Sequence, residues 1–362
     1  MLFSQALASA VFLAIGAESH SPLNARSAEA AGLAVTLSPS SGKATEVEVT
    51  IKNDGSHDLS LLRVGTILDE RPVQKMVVVD DAGEQLPFQG IELSIYYEGL
   101  ESKHYEKLTA GSSVTRLVDL SSVYDFKPGT YSIFAEGTFP SVSSASKKPN
   151  SISFKSKALS ITVKESSAAE VKQILSRRSI VETEDCPADK LKANLDGVRN
   201  CETLARAAAA DAADVHSARF VEYFKSNETE AREHVSGRLL AVAKECSTTD
   251  SGDTRLLCRD DLNVCETDGP LIAYTTWVNG YIVMCPLFYD TLPPLPQKCH
   301  KQDHATTTIH EMTHARAVYE DKAPATADRA YGYENSTALT SEEAMYNADS
   351  YSLYANAVYM NC

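Results

Sequence analysis

Ala305-Thr-Thr-Thr-Ile-His310-Glu311-Met-Thr-His314-Ala-Arg-Ala-Val-Tyr-Glu320 contains an H-E-x-x-H pattern with no Gly or Pro to interrupt a helix. Residues four apart on a helix lie about 40° apart around its axis, so His310 and His314 face the same way and can share one ion. Glu311 is swung to the neighbouring side, where a carboxylate can hold a metal-bound water without ligating the metal. The bland alternative is a polar helix face that carries two histidines, and a third ligand downstream would decide against it.

A catalytic zinc site takes three protein ligands and leaves a fourth position for water, whereas a structural site closes with four. Were the helix to continue, a residue 14 positions after His314 would lie about 21 Å away. Pro324 ends helical hydrogen bonding and lets the chain turn back, which makes Asp328 the expected third ligand. The rival carboxylate is Asp349, on a helix predicted over residues 341–359 that begins with Thr340 and Glu343 at capping-box spacing. It reads better as a residue lining the cleft for the side chain after the cut. His304 comes roughly 240° round the helix from His310 and faces away. Tyr289 reads as a core tyrosine.

The 362-residue chain is long enough for two domains and carries a formal charge of −15. That balance argues against a nucleic-acid partner, since no basic excess meets phosphates. Residues 1–178 hold 20 acids and 18 bases, residues 179–362 hold 29 and 16, so the acidity belongs to the C-terminal part and favours cationic substrates. All eight cysteines (Cys186, Cys201, Cys246, Cys258, Cys265, Cys285, Cys299, Cys362) also lie there. An even count with no C-x-x-C reads as four disulfides in an oxidising compartment, with a connectivity that spacing alone does not give.

Residues 7–17 form an apolar run of signal-peptide length, so residues 1–19 are expected to be a cleaved signal and the protein secreted. No later segment is long and apolar enough to span a bilayer, and no membrane partner is expected. Short β-branched runs at residues 34–38, 46–51, 76–79, 131–135 and 159–163, separated by turn signals such as Asn53-Asp-Gly55 and Lys127-Pro-Gly129, predict an antiparallel sandwich. The isolated His57 and His104 read as surface residues. Arg177-Arg178 stands at the break between the cysteine-free and cysteine-rich parts and is read as a processing site, giving a pro-region over residues 20–178 and a catalytic domain over 179–362. Helices are expected over residues 188–213 and 217–244, with His216 and His234 exposed on them. Leu271-Ile-Ala-Tyr-Thr-Thr-Trp277-Val, Asn279-Gly280 and Tyr281-Ile-Val-Met-Cys285 form a hairpin signal. By analogy with zinc proteases, its strand is expected to border a cleft and pair with an extended substrate. Asn227 and Asn335 open glycosylation sequons.

His310-Glu-x-x-His314 followed by Ala325-Thr-Ala-Asp328-Arg-Ala-Tyr331-Gly332 resembles the deuterolysins, the fungal neutral protease 2 or aspzincin group, whose second motif reads G-T-x-D-x-x-Y-G; Ala325 stands in place of its first Gly. The resemblance extends over Cys299 and the residues after it, over residues 347–356, and over the layout of signal, pro-region and disulfide-rich enzyme. It implies an α+β fold, with a β-sandwich-like pro-region before a mainly helical zincin-like domain with a small β-hairpin. It also implies one zinc ion held by His310, His314 and Asp328, a zinc-bound water activated by Glu311 as general base, and Tyr331 stabilising the oxyanion. Cys186 would pair with Cys258, Cys265 with Cys285 and Cys299 with Cys362, with Cys201 and Cys246 left for each other. The expected protein is thus a monomeric endopeptidase made as a zymogen. Its partners would be protein or peptide substrates, basic ones preferred, and its own pro-region before processing. The competing reading is a secreted binding protein whose zinc site is structural or inactive.

Overall fold

The computed structural model describes residues 32–143, 149–170, 186–249, 251–267, 269–277, 279–319 and 322–362. They belong to one compact unit, Ala31–Cys362. The predicted signal and the Arg177-Arg178 pair lie outside the described residues.

The N-terminal half builds three antiparallel sheets. β1 (Leu33–Pro39), β2 (Glu46–Asn53) and β7 (Ser113–Asp119) form the first, in the order β1-β2-β7. β3 (Leu59–Leu62), β6 (Tyr105–Leu108), β9 (Glu136–Ser143) and β10 (Pro149–Lys155) form the second, in the order β10-β9-β3-β6. β4 (Val77–Val79), β8 (Gly129–Phe134) and β11 (Leu159–Val163) form the third, in the order β11-β8-β4. The alternation in β2 shows the physical cause. Val47, Val49 and Ile51 turn inward with Leu61, Val78, Ile133 and Phe139, and the residues between them face outward. Burying each such side chain contributes about 1.5–3 kcal/mol. All five predicted strands are present, within two residues at either end.

A fourth sheet departs from the expected separation of halves. Its order is β12 (Arg255–Leu257), β14 (Tyr281–Met284), β13 (Leu271–Thr276) and β5 (Ile91–Ile95), so a strand from the N-terminal half completes the C-terminal sheet. β13 and β14 form the predicted hairpin, with Thr276 opposite Tyr281 and Gly280 at φ +63°, where the turn requires it. On its other edge β13 is antiparallel to β5, Thr275 lying opposite Glu92.

The C-terminal half is mostly helical: α1 (Ala188–Ala213), α2 (Ala218–Phe224), α3 (Thr229–Cys246), α4 (Pro286–Thr291), α5 (His304–His314), α6 (Arg316–Tyr319), α7 (Tyr333–Ser336), α8 (Ser341–Met345) and α9 (Ala348–Met360). α1 buries Val198, Cys201, Leu204, Ala205, Ala208, Ala209 and Ala212 at helical spacing, and these small residues let neighbouring helices approach closely. The single helix expected over residues 217–244 is two. Lys225 takes a left-handed conformation after α2, and α3 starts at Thr229. His234 is half-buried between the rings of Tyr319 and Tyr346 rather than exposed, and His104 is buried, its Nδ1 accepting the Glu101 N–H. The four disulfides are Cys186–Cys258, Cys201–Cys246, Cys265–Cys285 and Cys299–Cys362.

Two breaks matter for the site. The histidine helix ends at His314, with Ala315 extended, so the turn back begins well before Pro324. The helix expected over residues 341–359 is interrupted at Tyr346-Asn347. There the returning loop is stitched in: Ala327 N–H donates to Tyr346 O (3.0 Å), Ala348 N–H to Ala327 O (3.2 Å), and Thr326 N–H to Thr313 O at the end of α5 (3.1 Å). Buried Asn347 accepts the N–H groups of Arg329 and Ala330, both at 3.0 Å. Asn347→Ala strands those two donors, the one at Ala330 buried and the one at Arg329 partly so, and a buried unpaired group costs about 1–3 kcal/mol. Urea unfolding is therefore expected to give a loss of about 2–4 kcal/mol.

Candidate active site

Asp303 caps α5, accepting the N–H and hydroxyl of Thr306 at 3.0 and 2.6 Å; burial pushes its carboxyl up to about 7. Every residue of α5 is buried. His310 and His314 lie one turn apart with their Nε2 atoms separated by 3.1 Å. Asp328 Oδ1 comes within 3.2 Å of the first and 3.3 Å of the second. The ligand atoms of these three residues all fall within 4.8 Å of one another.

Their outer partners fix how they point. His310 Nδ1 lies 2.9 Å from Asp349 Oδ1, and His314 Nδ1 3.0 Å from the Thr326 carbonyl. A carboxylate and a carbonyl only accept, so both Nδ1 atoms carry the proton and both Nε2 lone pairs face the shared point. Asp328 Oδ1 and one oxygen each of Glu311 and Glu92 are buried without a hydrogen-bond partner. Two imidazole nitrogens and a carboxylate oxygen beside two further acids, each with one unpartnered oxygen, form a donor set that fits a borderline divalent cation.

The electrostatics follow from burial and pairing. Burial raises the Asp328 carboxyl, but the His314 and His310 imidazoles outweigh it and hold the group well below the carboxylate range. Burial lowers His310 and His314, but Asp328, joined by Asp349 at His310 and by Glu92 at His314, more than offsets it, so both are raised. Glu311 is raised by burial, against the pull of the two imidazoles. Its Oε2 accepts the Thr275 hydroxyl at 2.6 Å.

β5 lies in this cleft, held on both margins. One margin pairs with β13. On the other, Leu93 N–H donates to Asp328 Oδ2 (3.0 Å) and the Tyr331 hydroxyl donates to Leu93 O (3.2 Å). Beyond the strand, Gln302 Nε2 donates to Ile95 O (2.7 Å), and the Tyr97 hydroxyl donates to Asp349. The N-terminal half closes in on Tyr331 as well: a Cβ on Gly65, at φ +71°, would stand 2.6 Å from the tyrosine oxygen.

The structure thus brings His310, Glu311, His314, Asp328 and Tyr331 into one region. Asp349 holds His310 instead of joining the ligand cluster. His304 stacks on Phe288 at 4.1 Å, away from the site, and Tyr289 donates to Asn194. The residues that sequence reasoning missed are Glu92, Thr275 and Tyr97. The alternation of Ile91-Glu-Leu-Ser-Ile95 was a legible strand signal, but nothing in it reveals that its polar face turns toward the histidines.

A model of the deuterolysin metalloprotease (M35) family matches residues 2–362. The chain belongs to that family. It is 39% identical over 327 residues to a neutral protease 2 homologue of Botryotinia fuckeliana, covering 89% of this chain and 90% of that one. A neutral protease 2 homologue of Aspergillus oryzae is 40% identical over 337 residues, 92% of each chain. Another relative, named neutral protease 2, from the same organism is 37% identical over 320 residues, 88% and 89% of the two chains. As a deuterolysin the chain is a metalloendopeptidase, acting on peptide bonds with a bound metal. His310, His314 and Asp328 are its candidate metal site.

Because Asp349 fixes the ring of His310, Asp349→Ala is expected to weaken metal binding about 10–100-fold, as loss of such outer partners does. Chelator competition on the purified protein measures it; unchanged affinity would show that the ring needs no such hold.

Proposed function

We propose that the protein is a secreted zinc endopeptidase made as a zymogen, with a signal over residues 1–19, a pro-region over 20–178 and the catalytic part over 179–362. The observation that carries this reading is the seat of β5. A strand from before the dibasic pair runs antiparallel along β13 and passes beside His310, His314 and Asp328, where an extended peptide would pair with the sheet edge. While it lies there, no substrate strand can add to β13.

In this reading His310, His314 and Asp328 hold the ion. A zinc ion held there would supply a Lewis acid for the scissile carbonyl and lower the pKa of a water to about 7. Glu311 is the general base: Thr275 fixes one of its oxygens, and the buried, unpartnered one takes the proton and passes it to the leaving amine. The Tyr331 hydroxyl, which now donates to the Leu93 carbonyl, would meet a substrate carbonyl seated in the same place and support its charge as the tetrahedral state forms. The acid excess after residue 178 favours basic protein substrates. Nothing in the charge pattern calls for nucleic acid, and the reading takes the enzyme as a monomer.

Digestion of protamine and of casein by the processed protein, with and without a chelator, tests the assignment; chelation is expected to abolish both and protamine to be cut faster. Glu311→Gln should lower kcat by about 10²–10⁴-fold while zinc content stays full. Loss of zinc in that variant would remove Glu311 from the base role. Asp328→Asn should lower zinc content, and full occupancy would displace it as a ligand.

A further inference from the structure

Glu92 is the second of the five buried residues of β5, an unusual place for an acid. It lies directly opposite Thr275, and residues opposite each other on a ladder project to the same face. Thr275 turns its hydroxyl to Glu311, so Glu92 faces α5 as well. Its Oε2 accepts the Asp328 N–H over 3.3 Å, and its Oε1 is buried with no partner. The charged groups that bear on it are Asp328, His314 and His310. A carboxylate oxygen without a partner in such a place is costly, and no lysine or arginine is among those neighbours to offset it.

A divalent cation would remove the cost. With two neutral imidazoles, the Asp328 and Glu92 carboxylates carry two negative charges, enough to neutralise the ion. The four side chains also make up the number of donors a tetrahedral zinc site takes. Glu92 is not one of the three whose ligand atoms lie within 4.8 Å of one another, so joining them requires its carboxylate to swing toward the two histidines. A bond of 3.3 Å from the Asp328 amide holds its Oε2, and the unpartnered Oε1 is the oxygen left to turn toward an ion.

We propose that in the uncut chain Glu92 is the fourth protein ligand of the metal, filling the position that a catalytic site keeps for water. The inference rests on the reading of His310, His314 and Asp328 as the other three ligands. It gives the block two parts: the β5 backbone covers the sheet edge, and the Glu92 carboxylate takes the water's place. The closed four-ligand site that marks a structural zinc centre would then be a property of the intact chain alone. The fourth ligand comes from the segment that processing separates.

The test uses the full chain, kept uncut by Arg177→Ala and Arg178→Ala and loaded with cobalt(II) as a spectroscopic stand-in. Glu92→Gln, which keeps the shape of the strand, is expected to shift the visible cobalt bands and weaken cobalt and zinc binding about tenfold or more in chelator competition. Glu92→Asp, one methylene shorter, should shift the bands in the same direction and serves if the Gln variant does not fold. Unchanged bands and affinity in either folded variant overturn the proposal. Asp328→Asn in the same uncut chain separates the two readings. If it abolishes cobalt binding while the Glu92 variants change nothing, only the role of Glu92 falls. If it binds cobalt normally, the three-ligand reading beneath it falls.

Discussion

Asp328 uses its two oxygens in opposite directions, and the arrangement of the site depends on that division. Oδ1 faces the imidazoles of His310 and His314, while Oδ2 accepts the Leu93 N–H of the strand lying in the cleft. One carboxylate therefore joins a pair of histidines on α5 to a segment more than 230 residues earlier in the chain. To reach that point the loop after α5 must reverse direction. The fold secures the reversal by ending the helix at His314, by binding Thr326 to the helix end, and by threading residues 327–330 past Asn347 in the gap between α8 and α9. None of these devices is catalytic, yet each fixes where the third donor stands.

The same economy runs through the outer partners. Asp349 orients His310 and also accepts the Tyr97 hydroxyl and the Gly332 N–H at 2.7 Å, so ring, strand end and loop share one anchor. Thr275 sits on β13 between Glu311 and the strand opposite. A small set of side chains thus couples the order of the sheet edge to the order of the candidate metal site. Displacing β5 would free Asp328 Oδ2 and the Tyr331 hydroxyl together, the groups a substrate backbone would next meet.

Much of this was legible in the sequence because it is local. The spacing of His310 and His314, the capping pair Thr340 and Glu343, the limits of α1 and the hairpin before the site all follow from helical or strand periodicity within a few residues. The cysteine pairs became readable only through resemblance, since sequence distance does not state which groups fold back, whereas Asp328 was already marked as a candidate by the turn expected at Pro324. What was not legible is tertiary. No propensity ends a helix at Ala315, whose side chain is a good helix former; the pull of the returning Thr326 does so. Likewise Ile91-Glu-Leu-Ser-Ile95 reads as one more half-buried strand, and its partner lies in the other half of the chain.

That partnership changes the meaning of a cut elsewhere in the polypeptide. While the chain is continuous, β5 is a tethered occupant, presented to β13 at an effective concentration on the order of millimolar. Severing the tether breaks none of the contacts at Leu93, Ile95 or Thr275. In the proposed zymogen it would convert an intramolecular equilibrium into a bimolecular one, so that dilution, or digestion of the detached fragment, would empty the groove.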